Sequence, residues 1–324
     1  ENKSREKIKC TIELWKGGKE IKMHRIPCPI PYQGSKRGLA FKILSYFPPH
    51  ISGRLIEPFA GSAAISLAAA MTNRASQFII ADILAPLIEI WKLILENPEQ
   101  LASEYERLWY SQLDDPKYTY FRIRDEFNID HNPIKLLYLI VRCAKNAVRF
   151  NSEGQFNQSP DNRRLGMRPE KMRQEIFNAH RLLSGRTIAL AADYREVLRL
   201  AEPDDLVYMD PPYQGVSSIG NPRYVQQLDL DMFIRELELL NKRNIPYLVS
   251  FDGACGGRTY GQELPPHLKF KRILLPAGRS SQATLLGREA LTIESLYLSP
   301  ALVERITLEN GFSFQQLSIS DLRP

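Results

Sequence analysis

Cysteine is scarce in this chain of 324 residues: Cys10, Cys28, Cys143 and Cys255 are the only four, and they are widely scattered. They form no CxxC pair and no set with zinc-ligand spacing. A disulfide framework and a structural zinc site are therefore not expected, and a reduced intracellular setting fits best. Histidine is also sparse, at five, and no metal centre is expected. No apolar run approaches the roughly 20 residues of a membrane span, so no membrane association is expected. The Lys-rich N-terminus lacks the apolar segment of a signal peptide. The GxGxxG fingerprint is missing, which disfavours a dinucleotide oxidoreductase. There is no internal repeat and no low-complexity region.

What is present is ordinary in amount and uneven in placement. A hydrophobic fraction of 44% and a charged fraction of 25% suit a globular protein with a large core, in one large domain or two. The net charge of +6 conceals two basic segments. Residues 1–42 hold 11 Lys/Arg against 4 Glu, and residues 142–186 hold 10 Lys/Arg against 4 Asp/Glu, so the remainder sums to about −7. Basic segments on an acidic body point to a polyanion partner.

The most informative stretch is Asp-Leu-Val-Tyr-Met-Asp-Pro-Pro-Tyr, Asp205 to Tyr213. Leu206 to Met209 reads as a short buried strand, and the two prolines that follow cannot donate to a ladder, so pairing ends there. A carboxylate, a carbonyl and an aromatic ring are thus expected together at the carboxyl end of a strand, where open α/β sheets bind ligands. A planar group stacked on Tyr213 could give its amino hydrogens to Asp210, as an exocyclic amine of a nucleobase would.

The rest of the chain supplies a sheet around that strand. Residues 1–26 read as a basic arm or edge strand, with weak alternation over Cys10 to Trp15. Pro31-Tyr32-Gln33-Gly34-Ser35-Lys36-Arg37 precedes a helix expected over about Leu39 to Phe47, and such a turn can receive a carboxylate or phosphate. Arg54 to Glu57 reads as a strand running into Pro58-Phe59-Ala60-Gly61-Ser62 and an Ala-rich helix to about Met71. A second strand, Gln77 to Ala81, ends in Asp82. Its position 21 residues past Gly61 suits a ribose diol, and without a glycine triad a nucleoside fits better than a dinucleotide. Helices are expected at Pro86–Glu96, Pro98–Trp109, Pro133–Val148 and Pro169–Leu183, each with proline at or near its start. This is too much helix for one crossover, and a separately packed inserted lobe is expected. Within it, Arg149 to Gln158 reads as a hairpin carrying the Asn, Gln and Arg side chains that contact base edges. Thr187–Ala191 with Asp193-Tyr194, Pro246–Ser250, and an antiparallel edge pair over His267–Leu275 and Ala290–Leu298 complete the sheet. A helix over about Asp229–Lys242 lies between Asp210 and the strand Pro246–Ser250. The loop Gly278 to Gln282, with Arg279, is a candidate phosphate contact, and the tail from Glu309 carries no assignable role.

Four motifs occur in one order: Pro-Tyr-Gln-Gly-Ser-Lys, Pro-Phe-Ala-Gly, Arg-Phe-Asn-x-x-Gly-x-Phe-Asn and Asp-Pro-Pro-Tyr. Together they resemble the Dam-like DNA adenine-N6 methyltransferases, the alpha group of amino-methyltransferases, over roughly Pro31 to Leu298. The resemblance implies an α/β fold with a Rossmann-like methyltransferase sheet, and S-adenosylmethionine as cofactor. The catalytic domain would comprise residues 31–96 and 187–324, the inserted recognition domain residues 97–186, and the basic arm residues 1–30. It implies a cofactor site of Tyr32, Gln33, Gly34, Lys36, Glu57, Pro58, Phe59, Gly61, Ser62, Asp82, Asp193, Tyr194 and Asp210. In that site Lys36 would stand near the methionine carboxylate, Asp82 would take the ribose and Asp193 with Tyr194 the adenine. Asp210, Pro211, Pro212 and Tyr213 would grip the target base. Lys145, Asn146, Arg149, Asn151, Asn157, Gln158, Arg163, Arg164 and Arg279 would meet double-stranded DNA.

The implied activity is methylation of a flipped-out adenine by a monomer on the bacterial nucleoid, as an orphan or beside a separate restriction endonuclease. Alternative acceptors are cytosine N4 or an RNA base, and a non-catalytic DNA-binding module is a further alternative. Two departures from the family pattern stand out. Ala63 occupies a position where the family usually has glycine, a change expected to be minor. Ala144-Lys145-Asn146-Ala147-Val148 replaces the aromatic-Asn-Gly that often precedes the arginine, so a GATC specificity does not transfer.

Overall fold

Short apolar strands that end in acids alternate with amphipathic helices, and the chain accordingly builds a mixed α/β sheet. A computed structural model describes residues 12–16, 19–23, 25–212, 228–255, 258–260, 263–279 and 291–310. The basic arm contributes β1 (Ile12–Lys16) and β2 (Lys19–Met23), which pair antiparallel with each other. They form a hairpin of their own and add no edge strand to the main sheet. That sheet contains β3 (Ile51–Glu57), β4 (Ala75–Asp82), β5 (Thr187–Ala191), β6 (Leu206–Met209) and β7 (Tyr247–Cys255), with β8 (Arg258–Tyr260), β9 (Lys271–Arg279) and β10 (Leu291–Leu298). Its order is β5-β4-β3-β6-β7-β10-β9, and β8 pairs with β7. The first five strands in that order are parallel, and β10 runs antiparallel to both β7 and β9, as expected for the edge pair. This is a Rossmann-like arrangement.

The order reverses between β3 and β6. After β3 the chain moves outward to β4 and β5, then returns to place β6 on the other side of β3. Segments leaving neighbouring strands in opposite directions leave a crevice at their carboxyl ends. Side chains of β6 alternate between two cores, as strand geometry requires. Leu206 and Tyr208 join one cluster, while Val207 and Met209 join the other. Apolar side chains therefore cover both faces of the parallel strands.

The helices are α1 (Ala40–Leu44), α2 (Ala64–Met71), α3 (Ala85–Glu96), α4 (Pro98–Ser111) and α5 (Pro116–Asp130). They continue with α6 (Pro133–Arg142), α7 (Pro169–Leu183), α8 (Tyr194–Arg199), α9 (Leu230–Lys242) and α10 (Pro300–Asn310). Helices α3 to α7 all carry proline in their first turn, where its missing N–H costs nothing. The helix expected over Leu39–Phe47 is a 3-10 turn over Lys36–Gly38 followed by the short α1. Helix α5 has no counterpart in the sequence reading. Its buried side chains, Thr119, Tyr120, Ile123 and Phe127, make a narrow stripe among charged residues.

The helix expected to reach Val148 stops at Arg142. Cys143 is extended, and Lys145 and Asn146 both adopt left-handed backbone, with φ of 61° and 52°. Local side-chain bonds compete with the helix here. Asn146 Nδ2 donates to the Ile140 carbonyl at 2.9 Å, and the Cys143 thiol donates to the same carbonyl at 3.3 Å.

The inserted helices do not form a separately packed body. One apolar cluster runs from Leu55, Phe78 and Leu206 of the sheet, through Trp91 and Ile94 of α3, to Tyr105, Phe127, Ile140 and Ile176. Within this core lies Arg142, only 2% exposed. Its guanidinium donates to Gln112 Oε1 at 2.6 Å and to the carbonyls of Asp161, at 2.9 Å, and Arg164. It thereby ties the end of α6 to both the α4 terminus and the loop preceding α7. Arg142→Met is expected to lower the free energy of unfolding by about 3 kcal/mol, because buried acceptors lose charged donors. Urea denaturation of the variant beside wild type measures this; a change below about 1 kcal/mol would mean the network is dispensable.

Candidate active site

Four strand ends present acids to one cleft. Glu57 is the last residue of β3, Asp82 the last of β4, Asp193 follows β5 and Asp210 follows β6. The turn before α1 closes the cleft with Tyr32, Gln33, Gly34 and Lys36. The loop from β3 to α2 adds Pro58, Phe59, Gly61 and Ser62. Tyr194, Pro211 and Pro212 complete the set. The structure thus gathers every residue proposed above for the cofactor into one cleft. Tyr213, the proposed stacking ring, lies outside the described residues.

The loops are fixed by specific bonds. Ser35 and Ser62 share a hydroxyl–hydroxyl hydrogen bond of 2.7 Å, joining the first turn to the second loop. Gly61 has a φ of 48°, and a side chain there would be strained and would face the Tyr32 ring. Its carbonyl accepts a 3.0 Å bond from Trp91 Nε1, and its N–H donates to Asp82 Oδ2 at 3.1 Å. Ala63 also lies in left-handed backbone, at φ 45°. Its replacement of the family's usual glycine is therefore not minor: it carries backbone strain of about 1–2 kcal/mol. Phe59 stacks on Tyr194 with centroids 5.1 Å apart, and Phe233 of α9 meets both edge-on.

The acids differ in state. Burial pushes the Glu57 carboxyl up to about 7, with the nearby Asp210 charge adding to the rise and bonds from Ser66 opposing it. Ser66 Oγ donates to Glu57 Oε2 at 2.6 Å and Ser66 N at 3.0 Å. Burial also raises Asp82, against backbone bonds from Leu84 and Gly61. Asp193 moves the other way, because the Arg195 side chain donates to it at 2.7 Å. The Lys36 side chain is only 6% exposed, and its ammonium lies 3.2 Å from Asp210 Oδ1 and 3.3 Å from Glu294 Oε2.

The cleft thus stands at the switch point of a parallel sheet, lined by strand-end acids and an Asp-Pro-Pro turn. Residues 32–252 match the family model described as D12 class N6 adenine-specific DNA methyltransferase. The chain belongs to this family. The methyltransferase is also 27% identical to the retron Ec67 DNA adenine methylase of Escherichia coli, over 79% of this chain and 88% of that protein. A DNA adenine methylase of Vibrio cholerae is 27% identical over 59% of this chain and 67% of its own length. A DNA N-6-adenine-methyltransferase of Escherichia phage P1 is 26% identical over 56% of this chain and 23% of that protein.

Most of the residues assigned to DNA lie on one irregular hairpin of the methyltransferase. It has no regular strands, only isolated bridges at Cys143–Pro160 and Phe150–Phe156. Phe150 and Phe156 are buried and pack edge-to-face, so the aromatic flanks serve the core. The Asn151 side chain is spent on its own turn, accepting from the N–H groups of Glu153 and Gln155. Gln158 Nε2 donates to the Ala144 carbonyl, while Lys145 and Asn157 are exposed. Arg149 is half-buried, and its Nε has no hydrogen-bond partner among the described residues. Arg163 and Arg164, 85% and 70% exposed, both grip Asp161 and hold its carboxyl well below the usual range. Arg279 ends β9 far along the chain, and its side chain lies outside the described residues. The hairpin touches the cleft directly, for Gln33 N donates to the Asn146 carbonyl at 3.0 Å.

Trp91, Ser66 and Glu294 were not singled out from sequence. Trp91 and Ser66 sit in helices whose patterns read as core, and Glu294 in a strand remote from every motif.

A buried acid with a raised pKa is more stable when protonated. Glu57 therefore contributes stability that is fully present below about 4.5, its ordinary value, and lost as pH rises to about 7. Glu57→Gln is expected to remove this component, about 3 kcal/mol over that window. Unfolding free energies of both proteins at pH 5 and pH 8 measure it. Equal pH dependence in the two would show that Glu57 is not the titrating group.

Proposed function

We propose that this methyltransferase moves a methyl group from S-adenosylmethionine to N6 of an adenine flipped out of double-stranded DNA. The observation carrying this reading is that the Asp210-Pro211-Pro212 turn opens into the same cleft as the Gly61 loop and the Asp82 carboxylate. Acceptor and donor would meet there. The cleft suits the donor in three respects. Main chain is bare at Gly61, a carboxylate ends β4, and the Tyr194 hydroxyl is buried with no hydrogen-bond partner among the described residues. Asp82 would hold the ribose, Asp193 and Tyr194 the adenine, and the turn at Tyr32 to Lys36 the methionine end. When bound, S-adenosylmethionine supplies an electrophilic methyl group on a sulfonium.

The protein's contribution is positional and electrostatic. Flipping a base costs a few kcal/mol, and removes it from the duplex so that its amine can reach the cleft. The adenine N6 lone pair is delocalised into the ring. A hydrogen bond donated by N6 to the Asp210 carboxylate draws the amine toward sp³ character and favours positive charge on nitrogen as the bond forms. Alignment of the amine with the methyl group supplies much of the remaining acceleration. No strong base is required, because the alkylated nitrogen is acidic. Residues 97–186 would form the recognition segment, with the Arg149–Gln158 hairpin toward the duplex and Arg163 and Arg164 on its phosphates. The enzyme would act as a monomer.

Incubation with labelled S-adenosylmethionine and genomic DNA, followed by nucleoside mass analysis, is expected to yield N6-methyladenine. N4-methylcytosine, or label only in RNA, would overturn the acceptor assignment. Asp210→Ala is expected to lower kcat by about 10³-fold with DNA binding retained. Arg163→Ala is expected to weaken DNA binding and reduce the slope of log affinity against log salt by about 1. An unchanged slope would remove Arg163 from the DNA surface.

A further inference from the structure

We propose that Glu294 is a positioning residue for methyl transfer, holding the Lys36 ammonium between its own carboxylate and that of Asp210. The inference rests on the reading that Asp210 receives the target amine. Nothing in the motifs points to Glu294, which lies on β10, two strands away from β6 in the sheet.

The first support is the geometry around Lys36. The side chain is buried, and its ammonium stands 3.2 Å from Asp210 Oδ1 and 3.3 Å from Glu294 Oε2. Glu294 Oε2 is itself shielded from solvent and has no hydrogen-bond partner among the described residues. Its contact with Lys36 is thus an ion pair without hydrogen-bond geometry. A carboxylate oxygen kept from water in this way is tolerable only beside a positive charge.

The second support is the strand. Pairing of β10 with β7 slips in register between Glu294 and Leu296, and pairing with β9 slips between Thr292 and Ile293, beside Pro276. Irregularities therefore flank Glu294 on both sides, and such bulges commonly re-aim a side chain near an active site. Opposite Glu294 stands Gly253, where an added β-carbon would meet the Ile293 carbonyl at 2.7 Å. Backbone is packed tightly here, at the carboxyl end of β7, to bring the side chain toward Lys36.

The chemistry gives this placement a use. A lysine paired wholly with Asp210 would neutralise that carboxylate and weaken it as an acceptor for the amine. A second carboxylate divides the ammonium's attraction. Asp210 keeps its negative charge and acceptor strength, while one oxygen remains anchored. Glu57, at the end of β3, is the further acid whose charge is felt at Asp210. Glu294→Gln removes the divider and leaves the Lys36 ammonium drawn more strongly to Asp210.

Kinetics and a carboxyl titration test this. For Glu294→Gln, kcat for adenine methylation is expected to fall about tenfold, with KM for DNA and the calorimetric affinity for S-adenosylmethionine within about twofold of wild type. The carboxyl titration of Asp210, followed by NMR of protein carrying ¹³C-aspartate and assigned with Asp210→Asn, is expected to move down by about one pH unit. In a Lys36→Met background, Glu294→Gln is expected to leave the Asp210 titration nearer its starting value than in wild type. Glu294→Asp, which keeps the charge, is expected to recover part of kcat. Wild-type kcat with an unmoved titration overturns the proposal. So does a loss of kcat that follows a lowered Tm while the titration stays in place, since that is a merely structural role. If wild type itself fails to methylate adenine while the titration still shifts, the acceptor assignment falls and the coupling of the three charges stands.

Discussion

Adjacent strands β3 and β6 send their chains in opposite directions, and the rest of the molecule is arranged around the gap this leaves. Parallel strands end on one edge of the sheet, so whatever residue terminates each strand faces the same space. Here Glu57, Asp82 and Asp210 terminate or immediately follow β3, β4 and β6, and Asp193 follows β5. Two prolines after Asp210 prevent β6 from continuing, which keeps its carboxylate at the mouth rather than in the ladder. The placement of these acids is in this sense a property of topology before it is one of individual side chains.

Concentrating acids in one place carries an electrostatic cost, and each acid meets it differently. Glu57, deepest in the core, has its carboxyl raised to about 7 and leans on Ser66. Asp82 accepts main-chain N–H groups from Gly61 and Leu84. Asp193 is held by Arg195, and Asp210 shares Lys36 with Glu294. Four neighbouring carboxylates of similar intrinsic acidity thus acquire distinct characters from burial, backbone, arginine and lysine. Only the last stands beside the turn where an acceptor amine is expected.

Much of this was legible in the sequence because it is local. The strand Leu206–Met209 and the helix Pro169–Leu183 have the bounds read from apolar runs and prolines. The spacing from Gly61 to Asp82 suits a ribose diol, and the hydrogen bond that joins the two residues directly is no part of that reading. What escaped is non-local or conformational. Helix α6 stops at Arg142 because Asn146 and Cys143 bond back to Ile140, a competition that periodicity cannot register. Helix α5 hides behind a narrow apolar stripe. The strain at Ala63 is a matter of φ, invisible in a residue name. Glu294 reaches Lys36 across more than 250 positions of chain, through a strand whose slips in register leave no mark on composition.

The bond from Gln33 N–H to the Asn146 carbonyl joins the turn before α1 to the root of the hairpin. Both partners are main-chain atoms: proline at residue 33 would abolish the donor, and the acceptor is held by the left-handed backbone of Asn146 and its side-chain bond to Ile140. If the hairpin reads the target as proposed, exchanges among its exposed side chains, such as Lys145 and Asn157, leave that seam fastened. One enzyme scaffold could change the words it reads without loosening the pen.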